Sequence, residues 1–285
     1  MKNVKLIECP RDAMQGIHDF IPTEKKVAYI NSILQCGFDT VDFGSFVSPK
    51  AIPQLRDTAE VLEQLDLSIG NSKLLAIVAN VRGAEDACKF EEITYLGFPF
   101  SISETFQQRN ANSSIAESLK RVEEIQNLCV NNKKEMLVYI SMAFGNPYGD
   151  VWNSDIAIEW TKKLSQLGIK IFAMADTIGV SNPENITYLF SKLIPEFPNL
   201  EIGAHLHTTP DTWEEKIEAA YNAGCRRFDG AIKGFGGCPM ATDKLTGNMP
   251  TENLISYFNK KEINTGIYSS AFLEAFKLAP FIFPK

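Results

Sequence analysis

Short apolar runs alternate along the chain with longer stretches in which apolar residues recur every three or four positions. The short runs predict buried β-strands, and the longer stretches predict amphipathic helices that cover those strands. The chain begins with a predicted strand over residues 4–8, a helix over 23–36 that Gly37 ends, and a second strand over 38–43. The longest predicted helix covers residues 115–131. Strands and helices therefore follow one another in turn.

This alternation repeats eight times, with a helix predicted after each strand. The pattern predicts a single-domain (β/α)8 barrel over residues 1–285, in the α/β class. The main alternative, a doubly wound open sheet, usually carries a glycine-rich turn after its first strand. Here that turn reads Cys9-Pro10-Arg11-Asp12, which favours the barrel. The predicted strands cover residues 4–8, 38–43, 73–79, 93–101, 136–143, 170–175, 200–204 and 226–231.

Composition and charge narrow the class of protein. The net charge is −7, the isoelectric point is about 5.2, and no long run of Lys and Arg occurs. These values argue against nucleic acid or an anionic membrane as the main partner. No run of eighteen apolar residues and no signal pattern appears, so we expect a cytoplasmic protein. The six cysteines form no C-x-x-C pair, and in a reducing compartment most should be free and buried.

Two of the three histidines lie one residue apart, at the end of the seventh predicted strand. Alternate residues of a strand point to the same side, so His205 and His207 would aim their rings at one point. Two neutral imidazoles with a carboxylate from elsewhere suit a divalent metal. The alternative is that both histidines only form hydrogen bonds near the sheet edge.

Other polar residues also follow the predicted strands, where the catalytic groups of a (β/α)8 enzyme lie. The first and seventh strands both lie near the closing seam of the barrel, so Asp12 can reach the two histidines. Such a set of one carboxylate and two histidines leaves positions open for water and substrate. The polar residues in question are Arg11, Asp12, Asp42, Asn80, Glu104, Asp176, Thr177, His205, His207 and Cys238.

Several of these residues have an alternative interpretation. Asp42 at a strand end can cap the next turn, and Glu104 and Asp176 can cap loops or helices. Asn80 can contact the phosphate groups of a ligand or only water. Cys238 can be an inert loop cysteine, although its glycine-rich setting favours a functional role.

Five parts of the chain resemble the 3-hydroxy-3-methylglutaryl-CoA (HMG-CoA) lyases of the DRE-TIM metallolyase superfamily. Their order and spacing are kept over nearly the whole chain. The matching parts are residues 8–15, 45–50, 176–180, 205–207, and 236–239 together with 247–248.

The resemblance implies a role for each matching residue. Asp12, His205 and His207 would bind Mg²⁺ or Mn²⁺, with Asn248 as a further ligand or near neighbour. Arg11 would stabilise the enolate that develops as the carbon–carbon bond breaks, and Cys238 would donate a proton to that enolate. Asp42 stands where the family usually has Glu and is expected to be catalytic. We interpret the remaining polar residues as substrate-binding: Gln15, Asn80, Glu104, Asp176 and Thr177.

The resemblance also implies an acyl-CoA substrate, a homodimer and one HMG-CoA lyase-like (pyruvate carboxyltransferase-type) catalytic domain. The expected reaction is cleavage of HMG-CoA to acetoacetate and acetyl-CoA, in leucine degradation and the ketone-body route. The alternatives are a related Claisen-type synthase or aldolase that acts on a 2-oxoacid or another 3-hydroxyacyl-CoA, and a non-catalytic acyl-CoA-binding barrel. This chain departs from the family pattern at Ala13, Met14 and Asp42. It also has Thr208 where the family has Asp, so we expect a carboxylate beside the metal site to be missing.

Overall fold

The barrel predicted from the sequence is present. A computed structural model describes residues 4–237 and 246–283. Eight parallel strands close into a barrel in the order β1-β2-β3-β4-β5-β6-β7-β9, and β8 and β10 form a separate antiparallel pair. This confirms a single-domain (β/α)8 barrel. The strands are β1 (Lys5–Glu8), β2 (Thr40–Ser45), β3 (Lys73–Ile77), β4 (Ile93–Ser101), β5 (Glu135–Ser141), β6 (Ile171–Ala175), β7 (Glu201–His205), β8 (His207–Thr208), β9 (Arg227–Gly230) and β10 (Gly247–Asn248).

Helices surround the barrel, and polar N-cap residues explain where several of them begin. Ser114 and Glu117 form a reciprocal capping box at the start of the longest helix, and Asn182 caps another helix that has Pro183 in its first turn. The helices are α1 (Pro10–Gln15), α2 (Thr23–Leu34), α3 (Thr58–Glu63), α4 (Val81–Cys88), α5 (Glu104–Ala111), α6 (Ile115–Asn131), α7 (Ser154–Ser165), α8 (Pro183–Glu196), α9 (Trp213–Asn222), α10 (Thr251–Lys260) and α11 (Ser269–Ile282).

Three helices were not predicted from the sequence. α1 has six residues, too few to show a helical period, and Pro10 starts it where a turn was expected. α5 buries only Phe106 and Gln107, so its apolar pattern is weak. α11 lies in an apolar C-terminal segment for which no helix was predicted, and it packs against α2.

The interior of the barrel is apolar on one side and charged on the other. Leu75, Leu137 and Tyr139 belong to an apolar cluster that fills the side of β3 to β6. On the opposite side, Nη1 of the buried Arg227 donates a hydrogen bond of 2.9 Å to Glu201. Gly203 makes room for this arginine, because a Cβ atom at Gly203 would lie 2.8 Å from the Arg227 side chain. The strands that carry the histidines thus border a polar part of the interior.

The short antiparallel pair brings the last loop of the barrel back to the histidines. In the register of β8 and β10, Gly247 lies opposite Thr208 and Asn248 lies opposite His207. The main-chain N–H of Met249 donates to the Leu206 carbonyl at 3.1 Å, which continues this contact. No helix within residues 4–237 and 246–283 is both long and apolar enough to cross a membrane.

Candidate metal and catalytic site

Asp12 lies at the centre of a buried polar cluster at the carboxyl end of the barrel. It belongs to α1, which starts two residues after β1 ends. Its Oδ1 accepts hydrogen bonds from Arg11 at 2.9 Å and Gln15 at 2.7 Å, and its Oδ2 accepts one from Asn248 at 2.7 Å. Burial favours the neutral acid, but the charges of Arg11 and the histidines outweigh it and lower the pKa of Asp12 to about 2. Asp12 is therefore an ionised carboxylate.

The two histidines of the H-x-H sequence converge on Asp12. β7 ends at His205 and β8 begins at His207. One potential ligand atom from each of Asp12, His205 and His207 lies within 4.8 Å of the other two. The structure therefore brings these three residues together as a group that could hold a metal ion, which we call the metal triad.

A carboxylate from the neighbouring strand contacts the first of these histidines. Oδ2 of Asp229, on β9, lies 3.1 Å from Nδ1 of His205. Burial lowers the pKa of His205, but the hydrogen bond and charge of Asp229 outweigh burial and raise it. Because Asp229 occupies Nδ1, the other ring nitrogen, Nε2, is available as a metal ligand.

A second group of potential ligands shares His205 and consists of Cys9, His205 and Asp229. Burial raises the pKa of the Cys9 thiol, and the nearby carboxylates raise it further. A protonated thiol is a poor metal ligand, and Asp229 is already bonded to Nδ1 of His205. The metal triad with Asp12 is therefore the better candidate.

His207 provides the test of whether a metal fits this site. Its side chain is buried, and neither ring nitrogen has a hydrogen-bond partner among the described residues. Such orphaned polar atoms are costly inside a protein unless they serve a ligand. Burial lowers the pKa of His207 to about 4, so the ring is neutral at physiological pH. A neutral, unpartnered imidazole facing a carboxylate and a second histidine fits a divalent metal.

Asn248 and the glycine loop cover the triad from another direction. Nδ2 of Asn248 donates to Asp12 and also to the Phe235 carbonyl at 2.9 Å. Gly236 has a φ of 83°, and a Cβ atom there would lie 2.7 Å from the Asp12 carbonyl oxygen. Only glycine fits this close approach. Cys238, predicted to be catalytic, lies outside the described residues.

Arg11 and Asp42 form a buried ion pair beside the triad. Nε and Nη2 of Arg11 donate to Asp42 Oδ2 at 3.0 and 2.6 Å, and Nη1 bonds to Gln15 at 2.9 Å as well as to Asp12. Asp42 is fully buried on β2. Burial raises the pKa of Asp42 to about 6, although the charge of Arg11 opposes this shift. The guanidinium is thus held rigidly between two carboxylates and an amide.

The other residues predicted to bind substrate are placed differently. Asn80 is exposed and caps α4 by accepting a hydrogen bond of 2.9 Å from Gly83, and Glu104 is exposed and accepts one of 3.1 Å from Ile115. Among the described residues, no hydrogen bond joins Asn80 or Glu104 to a residue of the metal triad. Thr177 accepts a hydrogen bond of 2.8 Å from the Met142 N–H. Asp176 is buried and bonds to Lys216 at 2.9 Å.

Two residues of the site were not singled out in the sequence. Asp229 follows Arg227 by two residues on a buried strand, so two charged residues point into the barrel from β9. Lys216 occupies the apolar face of α9, three residues before Ala219 and four before Ala220. A charged residue at a buried position is the signal in both cases, because such residues are rarely buried without a partner.

Comparison with known proteins places the chain in a family. A family model described as HMGL-like matches residues 3–278. Hydroxymethylglutaryl-CoA lyase YngG of Bacillus subtilis (strain 168) is 33% identical over 272 residues, which cover 94% of this chain and 89% of that protein. The 3-hydroxy-3-isohexenylglutaryl-CoA/hydroxy-methylglutaryl-CoA lyase of Pseudomonas aeruginosa is 32% identical, over 96% of this chain and 91% of its own. The solved structure of an HMG-CoA lyase from Acinetobacter baumannii, in complex with coenzyme A and 3-methylmalate, has a TM-score of 0.90 and 29% identity, covering 98% of this chain and 90% of that one.

The barrel, the buried metal triad and these relatives define an enzyme, a carbon–carbon lyase of the hydroxymethylglutaryl-CoA lyase-like type. The chain belongs to the HMGL-like family.

Proposed function

We propose that this lyase cleaves HMG-CoA to acetoacetate and acetyl-CoA, with Mg²⁺ or Mn²⁺ as its cofactor. The observation that carries the proposal is the buried metal triad, with the Arg11–Asp42 pair hydrogen-bonded to it through Asp12. The reaction breaks one carbon–carbon bond. The substrate hydroxyl loses a proton, and the acetyl-CoA enolate that leaves gains one.

Asp12, His205 and His207 would hold the metal, and Asn248 lies next to Asp12 as a candidate for a further ligand. When bound, a divalent metal polarises the hydroxyl and carboxylate oxygens of such a substrate as a Lewis acid. One carboxylate and two histidines leave positions for water and substrate oxygens, which Mg²⁺ and Mn²⁺ prefer.

Arg11 supplies the fixed positive charge for the enolate. Its charge persists at any physiological pH, and burial beside Asp42 and Asp12 holds it in one place. Four of its five N–H groups bond to Asp42, Asp12 and Gln15, and the remaining one, on Nη2, has no partner among the described residues and is available to a substrate oxygen. A preorganised donor of this kind stabilises charge that develops during the reaction.

Asp42 acts through Arg11 in this proposal. Its pKa of about 6 lies close to neutral pH, but both of its oxygens are bonded to Arg11. We therefore assign Asp42 the orientation of Arg11 rather than contact with substrate. Cys238 would protonate the enolate, since Gly236, two residues earlier in the chain, lies against Asp12.

The proposal extends to the setting of the enzyme. The resemblance to HMG-CoA lyases supports a homodimer that acts on the leucine-degradation and ketone-body route. We place it in the cytoplasm because the sequence has no signal pattern. Sedimentation of the purified chain tests the dimer directly.

A panel of thioesters tests the choice of substrate. The purified, Mn²⁺-loaded enzyme is assayed for acetyl-CoA release from HMG-CoA and from 3-hydroxyacyl-CoA esters with longer branches, such as the 3-hydroxy-3-isohexenylglutaryl group named for the Pseudomonas relative. We expect the highest kcat/KM for HMG-CoA. Product formation from acetyl-CoA and a 2-oxoacid would instead indicate a synthase, and binding of the esters without turnover would indicate a silent barrel.

A further inference from the structure

Lys216 is a buried lysine whose ammonium group has three acceptors. It lies on α9 and is 2% exposed. Its Nζ donates to the His207 carbonyl at 2.7 Å, to Asp176 Oδ2 at 2.9 Å and to the Gly179 carbonyl at 3.3 Å. These contacts match the three donors of a lysine ammonium. The helix is thereby joined directly to the main chain of a metal-triad residue.

Asp176 holds Lys216 in this position. Its carboxylate is fully buried and also accepts hydrogen bonds from the N–H of Ser181 at 3.0 Å and from its hydroxyl at 2.5 Å. The main-chain N–H of Asp176 donates to the His205 carbonyl at 2.9 Å. Lys216 and Asp176 together therefore hold the carbonyls of both histidines from behind.

The two histidines differ in what holds their rings. Asp229 bonds to Nδ1 of His205, whereas neither ring nitrogen of His207 has a hydrogen-bond partner in the described chain. The position of the His207 ring therefore depends on its main chain. That main chain is held by the pairing of β8 with Asn248 and by Lys216.

We propose that Lys216 is a positioning residue for His207. Its ammonium, held by Asp176, fixes the His207 carbonyl and thereby the ring that completes the metal triad. The proposal rests on the proposed function, since it assumes that the triad binds a metal. It also explains how a chain with Thr208 after the second histidine supports that histidine, because the support comes from α9 and from the loop after β6.

The test compares Lys216→Met with a matched control, Lys26→Met. Lys26 is also 2% exposed, and it donates to Asp57 at 2.6 Å and to the Gln54 carbonyl, but it contacts no residue of the triad. Both variants lose a buried ion pair, so both should melt at lower temperature. The Mn²⁺ dissociation constant, measured by electron paramagnetic resonance of free Mn²⁺, separates positioning from stability. We expect it to rise about tenfold or more in Lys216→Met and to stay within about twofold of the wild type in Lys26→Met.

An unchanged Mn²⁺ affinity in folded Lys216→Met overturns the inference, and so does an equal loss of affinity in both variants. If Lys216→Met does not fold, Asp176→Asn replaces it, because this variant removes the charge that holds Lys216. A clear weakening of Mn²⁺ binding in Asp176→Asn supports the inference, and wild-type affinity overturns it. If the wild-type protein binds no Mn²⁺, the proposed function itself is contradicted. This outcome is distinct from a failure of the inference about Lys216, which requires that the wild type binds Mn²⁺.

Discussion

The carboxylate of Asp229 lies 3.1 Å from Nδ1 of His205, on the side of the ring away from the expected metal ligand atom. The two residues come from neighbouring strands, β7 and β9, whose register places them opposite each other. The sequence led us to expect that a carboxylate beside the metal site is missing, since Thr208 follows the second histidine. Position 208 is indeed a threonine, but β9 supplies a different carboxylate, which contacts the first histidine.

The first prediction concerns the charge of Asp229. Asp229→Asn keeps the size of the side chain but removes its negative charge. In the wild type this charge orients the His205 ring and raises the pKa of His205. We expect the Mn²⁺ dissociation constant to rise by about 10- to 100-fold, the usual effect of changing a residue that holds a metal ligand. Titration calorimetry with Mn²⁺ measures it. Asp86→Asn on α4 is the control, because Asp86 pairs with Lys89, three residues further along the chain, and with none of the triad residues. Equal Mn²⁺ affinity in Asp229→Asn and Asp86→Asn would show that Asp229 does not support the metal site.

The second prediction concerns pH. Burial raises the pKa of Asp42 to about 6 even against the charge of Arg11. Below that pH Asp42 becomes neutral and its hold on Arg11 weakens, so kcat should fall as the pH decreases through about 6. In Asp42→Asn this dependence should disappear, with kcat lower by about tenfold or more at neutral pH. A wild-type kcat that stays constant from pH 5 to 8 would contradict the role given to Asp42.

The third prediction concerns the glycine loop. A methyl group at Gly236 would lie 2.7 Å from the Asp12 carbonyl oxygen, at a φ of 83°. Gly236→Ala must therefore displace the loop, and we expect kcat to fall about tenfold or more. Gly149→Ala is a matched control, since Gly149 also has a positive φ of 78° but a methyl group there would meet no described atom within 4 Å. Similar kcat values for the two variants would show that the close approach at Gly236 has no part in catalysis.

The fourth prediction links Glu8 to stability. Glu8 is fully buried and accepts hydrogen bonds from the Ile232 N–H at 2.8 Å and the Thr251 hydroxyl at 2.6 Å. Burial raises its pKa from 4.5 to about 8, more than these hydrogen bonds lower it. Because the pKa of Glu8 is higher in the folded protein, the protonated side chain contributes to the free energy of unfolding. This contribution is fully present below pH 4.5 and is lost progressively as the pH rises to about 8.

The measurement for Glu8 is urea unfolding at several pH values. Between pH 5 and 8 the free energy of unfolding of the wild type should fall relative to Glu8→Gln by about 1 kcal/mol per pH unit. Glu196→Gln, at an exposed position, should follow the wild type. Parallel curves for Glu8→Gln and the wild type would exclude an uncharged Glu8 in the folded protein.

Much of the fold followed from the pattern of apolar residues. The strand predicted over residues 93–101 is β4 with the same bounds, and the helix over 115–131 is α6. These elements are long and bury a continuous set of side chains, so their period is clear. α1 was missed because its six residues are held by contacts around Asp12 and not by an amphipathic face.

The site could be predicted only where it is local in sequence or lies at the end of a strand. His205 and His207 lie one residue apart, at the end of β7 and the start of β8, and Asp12 follows β1. Lys216 could not be predicted, because its partners Asp176 and His207 lie on other elements. The sequence also does not show that the carboxylate of Asp229 contacts a histidine of the triad whereas that of Glu104 caps a helix, because both contacts depend on three-dimensional packing. Glu104 shows this, since its carboxylate accepts the N–H that begins α6.

The central claim is a metal-dependent cleavage at the Asp12–His205–His207 triad. Its most direct test measures acetyl-CoA release from HMG-CoA by the wild type as purified, after treatment with a chelator, and after Mn²⁺ is added back. We predict that the chelator lowers the rate by about a hundredfold or more, that one Mn²⁺ per chain restores it, and that Mn²⁺ does not restore a His207→Gln variant. Undiminished acetyl-CoA release by the metal-free protein, or none at any Mn²⁺ concentration, would contradict the account.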